Sequence, residues 1–208
     1  THKTLFGPQG GIILSFDKYA DAIKKAVFPG VTSSHHLHNV AGKAIALAEM
    51  LAFGKEYARQ VIKNAKALAE SLHTLGFDVL GEKHGFTASH QVVVDVSKYG
   101  DGGKIEQELE RANIICNRQL LPGDIKAGRN YKNPGGIRLG TAEVTRLGMK
   151  ESEMRTIAEF IKGVIIDKRD TREIASKVTE FRSSFQHVYY SFDGEALDAY
   201  EYISLIRD

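Results

Sequence analysis

Lys3 stands between His2 and Thr4 and is followed by Gly7-Pro8 and then Gly10-Gly11. A lysine amine among small and polar residues can attack a carbonyl once it is held neutral. On spacing alone, the same lysine also reads as an exposed terminal cation. His35, His36 and His38 form a second group. His35 and His38 share a helix face, as a pair of metal ligands would, but no carboxylate or Cys completes the set. Rings stacked at a helix N-terminus account for them without a metal. The third candidate is Arg138, between Gly136 and Gly140. A planar guanidinium matches a carboxylate through two parallel hydrogen bonds, which suits Arg better than Lys. Its alternative is a strand arginine in a surface salt bridge. Cys116, after Ile114 and Ile115, reads as a small buried hydrophobe. Tyr189, Tyr190, Tyr200 and Tyr202 read as packing or subunit contacts, because no basic counterpart of a nucleic-acid stacking platform accompanies them.

The composition narrows the setting. The chain has 208 residues, 42% hydrophobic, which is ample for a packed core and too many for a disordered chain. Lys plus Arg is 28 against 26 Asp plus Glu, so no global field favours nucleic acid or acidic lipid. A single Cys excludes a disulfide framework and a multi-Cys zinc site and suits a reducing, cytoplasmic location. No apolar run approaches the roughly 20 residues of a membrane span, and Thr1 to Phe6 hold no signal-peptide core.

The elements that must position the candidate residues follow from periodicity. Gly10 to Phe16 predicts a buried strand after Gly. Asp17 caps a helix to about Val27, which Phe28-Pro29-Gly30 ends. A long helix is expected from about His35 to Leu75, with Val40, Ala44, Leu47, Leu51, Val61, Leu68 and Leu72 recurring at spacings of three and four, and Gly76 as its stop. Strands are expected at 77–80, 90–96, 114–117 and 136–139, and helices at 104–112, 150–166, 171–185 and 195–206. Strands alternating with helices indicate α/β or α+β.

Three ordered segments resemble serine hydroxymethyltransferase. The string Thr1-His2-Lys3-Thr4-Leu5 with Gly7-Pro8 and Gly10-Gly11 is similar to that family's lysine segment. Val27-Phe28-Pro29-Gly30 followed by His35-His36-Leu37-His38-Asn39-Val40-Ala41-Gly42-Lys43-Ala44 resembles its Phe-Pro-Gly and Pro-His-x-His-x-Ile-Ala-x-Lys-Ala stretch. Gly136-Ile137-Arg138-Leu139-Gly140-Thr141 with Thr145 and Arg146 resembles its Gly-x-Arg-x-Gly-Thr segment. The resemblance implies an α/β fold, the aspartate-aminotransferase-like fold type I of pyridoxal 5'-phosphate transferases. Residues 1–70 would be the end of the large cofactor domain with a connecting helix, and 71–208 a small α+β C-terminal domain. It implies that Lys3 forms the Schiff base with the cofactor, with Thr1 and His2 beside it, and that Arg138 grips the carboxylate of serine or glycine. Ser33, Ser34 and His35 would serve the cofactor phosphate of a neighbouring subunit in a homodimer.

The sequence departs from the family pattern at several places. Ser33-Ser34-His35 stand where the family has Gly-Gly-Pro, Ala142-Glu143 where it has Pro-Ala, and Gln9 where bacterial and animal forms have Arg. In the carrier pocket, Asn117-Arg118-Gln119 replaces Asn-Lys-Asn, so Asn117 and Gln119 are the expected pterin contacts. These changes resemble the archaeal branch, and they leave both tetrahydrofolate and a modified pterin such as tetrahydromethanopterin as carriers. In the family the cofactor lysine lies near mid-chain, so the resemblance also implies a preceding half, absent from these 208 residues, without which the chain would be inactive. The alternatives are another fold-type-I reaction, such as threonine aldol cleavage or aminotransfer, and a silent structural or dimerisation module.

Overall fold

The computed structural model describes residues 1–192. The helix expected at 195–206, with Tyr200 and Tyr202, lies outside them. The chain forms two compact units, Thr1–Lys55 and a second that starts at Glu56.

In the first unit, residues 1–10 close a loop on themselves. The Gly7 amide donates to the Thr1 carbonyl at 2.9 Å, and Thr1 Oγ1 donates to the Pro8 carbonyl at 2.6 Å. The strand expected at 10–16 is not formed. A strand exists only where a neighbour takes its amides, and none of the described residues does so. Ile13, Leu14 and Phe16 are instead exposed. A 3-10 turn at Asp17–Tyr19 leads into helix α1 (Ala20–Lys25), and a wide turn follows at Ala26–Val31.

Helix α2 (Leu37–Thr74) is 38 residues long and carries the chain from the first unit into the second. Its apolar stripe is buried only in part. Tyr57, Val61, Ala65, Leu68, Ala69 and Leu72 are in the core, as their spacing requires, whereas Val40, Leu47 and Leu51 are exposed. The periodicity marks one face along the whole helix, and its C-terminal half packs that face into the core of the second unit.

The second unit is built on an antiparallel sheet, with strand order β1-β2-β4-β3. The strands are β1 (Asp78–Val79), β2 (Gln91–Asp95), β3 (Asn117–Gln119) and β4 (Gly136–Gly140). Around it stand α3 (Gly102–Arg111), the short α4 (Ala142–Arg146), α5 (Glu151–Ile165) and α6 (Thr171–Ser183). Alternation divides the sheet into two faces. Val92, Val94, Ile137 and Leu139 are buried in one core with Leu68 and Leu72 of α2, Ile105 and Leu109 of α3, and Met154 and Ile161 of α5. The other face carries Gln91, Val93, Asp95, Asn117, Gln119 and Arg138, none of them fully buried. The strand expected at 114–117 begins later, at Asn117, and Ile115 is exposed.

Local chemistry sets the helix ends. Asp101 Oδ1 accepts from the Lys104 amide at 3.0 Å and Asp170 Oδ1 from the Arg172 amide at 2.9 Å, each capping a first turn. Gly76, at φ +93°, ends α2 in the left-handed conformation. At Gly102 a Cβ would stand 2.1 Å from the Gly136 carbonyl oxygen, so only glycine lets α3 start against β4.

Candidate active site

Three places carry the residues singled out by their chemistry. Lys3 is exposed in the 1–10 loop, beside exposed His2 and half-buried Thr1. The loop is braced from within: Thr1 Oγ1 also donates to the Gly10 carbonyl at 3.1 Å, as does the Thr1 ammonium, at 3.1 Å. Glycine lets it lie close to α2. A Cβ at Gly10 would come 3.0 Å from Lys43 Nζ, and one at Gly42 would come 3.2 Å from the Pro8 ring. Gly7, Pro8 and Gly10 thus pack the base of the loop, and Lys3 is exposed.

Ser33, Ser34 and His35 form an exposed segment running into α2. Before it, the Thr32 amide and hydroxyl both donate to the Val27 carbonyl, at 2.8 and 2.7 Å. The His36 and His38 rings lie 5.4 Å apart. Among the described residues, no three His, Cys, Asp or Glu side chains gather as a metal site would need.

The third place is the polar face of the sheet. Arg138 lies at the centre of β4, opposite Asn117 of β3 and Val93 of β2. Its Nη2 donates to Asn117 Oδ1 at 3.4 Å. Gln119, on the same face of β3, donates through Nε2 to the Leu120 carbonyl at 3.0 Å. The structure therefore brings together Arg138, expected for a carboxylate, and Asn117, expected for a pterin.

The residues that hold this face escaped the sequence reading. Glu106 of α3 takes the Arg118 amide at 3.0 Å and the Arg118 guanidinium at 2.5 Å, which anchors β3 from its helix side. Asp124, whose side chain is 8% exposed, accepts from the Leu121 amide at 2.8 Å and the Gly135 amide at 2.7 Å, tying both ends of the loop that joins β3 to β4. Burial pushes its carboxyl up, but those two amides and then the Arg129 guanidinium hold it below the usual carboxylate range. Asn64 of α2, fully buried, donates to Thr145 Oγ1 and to the Met149 carbonyl, both at 2.8 Å, and fixes α4 after β4. Only Asn64 left a sign in the sequence, as a polar residue within the apolar stripe of α2.

Other groups are structural. Cys116 is buried, and burial, followed by the charge of Glu106, pushes its thiol up to about 12. The Tyr189 amide donates to the Arg146 carbonyl at 2.7 Å, and Tyr190 packs edge-on to Tyr57 at 5.4 Å. A cavity of about 440 Å³, walled by Leu68, Leu139, Met154, Ile157, Phe160 and Phe181, is apolar and lies on the helix-covered side of the sheet, away from Arg138. No helix of the described residues is long and apolar enough to cross a membrane.

A family model for serine hydroxymethyltransferase matches residues 1–161. The chain belongs to the serine hydroxymethyltransferase family. It is 63% identical over 205 residues to a serine hydroxymethyltransferase of Nitrosopumilus maritimus, covering 99% of this chain and 46% of that protein. It is 54% identical over 197 residues to that of Methanocaldococcus jannaschii, covering 93% of this chain and 46% of the relative. The chain thus spans about half the length of the curated relatives it matches. Among solved structures it resembles the L-threonine transaldolase of Pseudomonas fluorescens in its internal aldimine state. There the TM-score is 0.78 at 32% identity, over 94% of this chain and 44% of that one. The expected fold, α/β of the fold-type-I class, is borne out.

Proposed function

We propose that this chain supplies the cofactor lysine and the carboxylate-binding arginine of an enzyme that interconverts serine and glycine with pyridoxal 5'-phosphate, passing the one-carbon unit to a reduced pterin. It acts with a large-domain portion of the kind that the additional length of its relatives can hold, as a cytoplasmic homodimer. The observation that carries the reading is Lys3, a family-motif lysine held at an exposed position of a braced loop in a chain of this family. A solvent-facing amine can meet the aldehyde carbon of a cofactor and later be displaced by a substrate amine. His2 and Thr1 line the same loop.

The donor set fits the phosphorylated cofactor. Ser33 and Ser34 offer hydroxyls, and the first amides of α2 point out of a helix N-terminus, where anions are favoured. When bound, the cofactor supplies the electron sink for the bond that breaks at the substrate α-carbon. Arg138 takes the substrate carboxylate through its fork and so fixes the orientation of that bond. Gln119 presents its amide to a pterin edge. Gln119 keeps the amide donor and acceptor of Asn on a side chain one methylene longer, and the carrier is tetrahydrofolate or a modified pterin such as tetrahydromethanopterin.

Lys3→Ala in the complete enzyme tests the assignment. The absorbance band of the lysine-bound cofactor is expected to vanish, and a band unchanged from wild type overturns the reading. The likeness to a threonine transaldolase favours a second reading, aldol chemistry without a pterin. Serine cleavage at full rate with no added pterin would select it.

A further inference from the structure

The surroundings of Arg138 on the polar face of the sheet are asymmetric. Arg138 stands between two glycines of β4, and they are not equivalent. A Cβ at Gly136 would strike Leu121 Cδ2 at 2.5 Å, whereas one at Gly140 would meet no atom within 4 Å. The strand surface beside Arg138 is therefore filled toward Gly136 and open toward Gly140. Across the ladder its neighbours are apolar Val93 and polar Asn117. Asn117 Oδ1 accepts from Nη2 at 3.4 Å, which leaves the other guanidinium N–H groups for a ligand.

Asn117 is held where it is by the residue beside it. Arg118, on the opposite face of β3, is bound to Glu106 through its own amide and its guanidinium. A slip of one residue in β3 would move Arg118 to the polar face and Asn117 to the core. The Glu106–Arg118 pair opposes that slip, so the amide stays opposite Arg138.

We infer that Asn117 is a positioning residue for the substrate carboxylate: its neutral amide oxygen orients the Arg138 guanidinium without neutralising it, leaving the fork free for the anion. This rests on the reading of Arg138 as the carboxylate anchor. It assigns Asn117 to the amino-acid side of the reaction rather than to the pterin. A carboxylate at position 117 would itself occupy the fork and repel the substrate. An apolar residue would leave the guanidinium without this lateral support.

The test compares Asn117→Ala, Asn117→Asp and Arg138→Lys in the complete holoenzyme. KM for serine, KM for the pterin and kcat are measured at low and high salt. Asn117→Ala is expected to raise the serine KM by about three- to tenfold, the scale of one hydrogen bond, with kcat and the pterin KM within about twofold of wild type. Asn117→Asp is expected to raise the serine KM by about a further tenfold, an excess that shrinks as salt screens the introduced charge. A merely structural role for Asn117 would not produce that salt dependence. Asn117 is exposed, so both variants should fold; circular dichroism and serine-free cofactor binding check this. If both Asn117 variants leave the serine KM unchanged while Arg138→Lys raises it, the inference fails and the anchor stands. A rise in the pterin KM alone also overturns it. If Arg138→Lys leaves the serine KM unchanged, the anchor reading itself fails.

Discussion

Asp124 ties the loop between β3 and β4, and replacing it with Asn should loosen that loop by a calculable amount. Its Oδ2 accepts two amides, from Leu121 at 2.8 Å and Gly135 at 2.7 Å, and Gly135 is buried. An Asn can keep its oxygen at that point, so both bonds survive and only the charge is lost. Bonds to a charged acceptor contribute about 1 kcal/mol more each than bonds to a neutral one, so Asp124→Asn should cost about 2 kcal/mol. Asp124→Ala leaves both amides without this acceptor and should cost about 2–5 kcal/mol. Because the folded carboxyl sits below its ordinary value, its contribution is complete above the unfolded value of about 4 and is lost as pH falls through the folded one. Urea titrations near neutral pH and in acid measure both effects. The wild-type advantage over Asp124→Asn should be full at neutrality and should fade only below about pH 4. An Asn variant as stable as wild type at neutrality, or a difference that persists unchanged in acid, would refute the charge-assisted tie.

Two further outcomes follow from packing. Gly102→Ala puts a methyl into the Gly136 carbonyl, and backbone cannot move aside as a side chain can. A loss of about 1–3 kcal/mol in urea titration is expected, and a neutral result would mean that α3 does not start against β4 as described. Cys116, with its thiol pushed up to about 12, should resist iodoacetamide near neutral pH in the folded protein and react on unfolding. Rapid labelling of the native chain would contradict its burial.

Much of the architecture was legible because it depends on neighbours in the chain. The period of α5, the alternation in β2 and the stop at Gly76 all rest on contacts a few residues apart. The 10–16 segment was misread as a strand because an apolar run states that a residue wants burial, not which strand will pair with it. Helix α4 went unseen because five residues are too few to show a period. Val40, Leu47 and Leu51 follow the helical period but meet no sheet in their own unit.

The candidate site divides in the same way. Residue type allowed a chemistry for Lys3 and Arg138, but it was the resemblance of three ordered segments to a known family that selected them, and that resemblance alone pointed to Asn117 and Gln119. The pairing of Arg138 with Asn117, the anchoring of β3 by Glu106 and the tie at Asp124 were decided only in three dimensions. Each joins residues well separated in the chain through strand register or a buried hydrogen bond. Register is set by which face of a strand the core accepts, and a buried donor by which acceptor the packing brings near it. Both are properties of the assembled sheet and of no single segment of it.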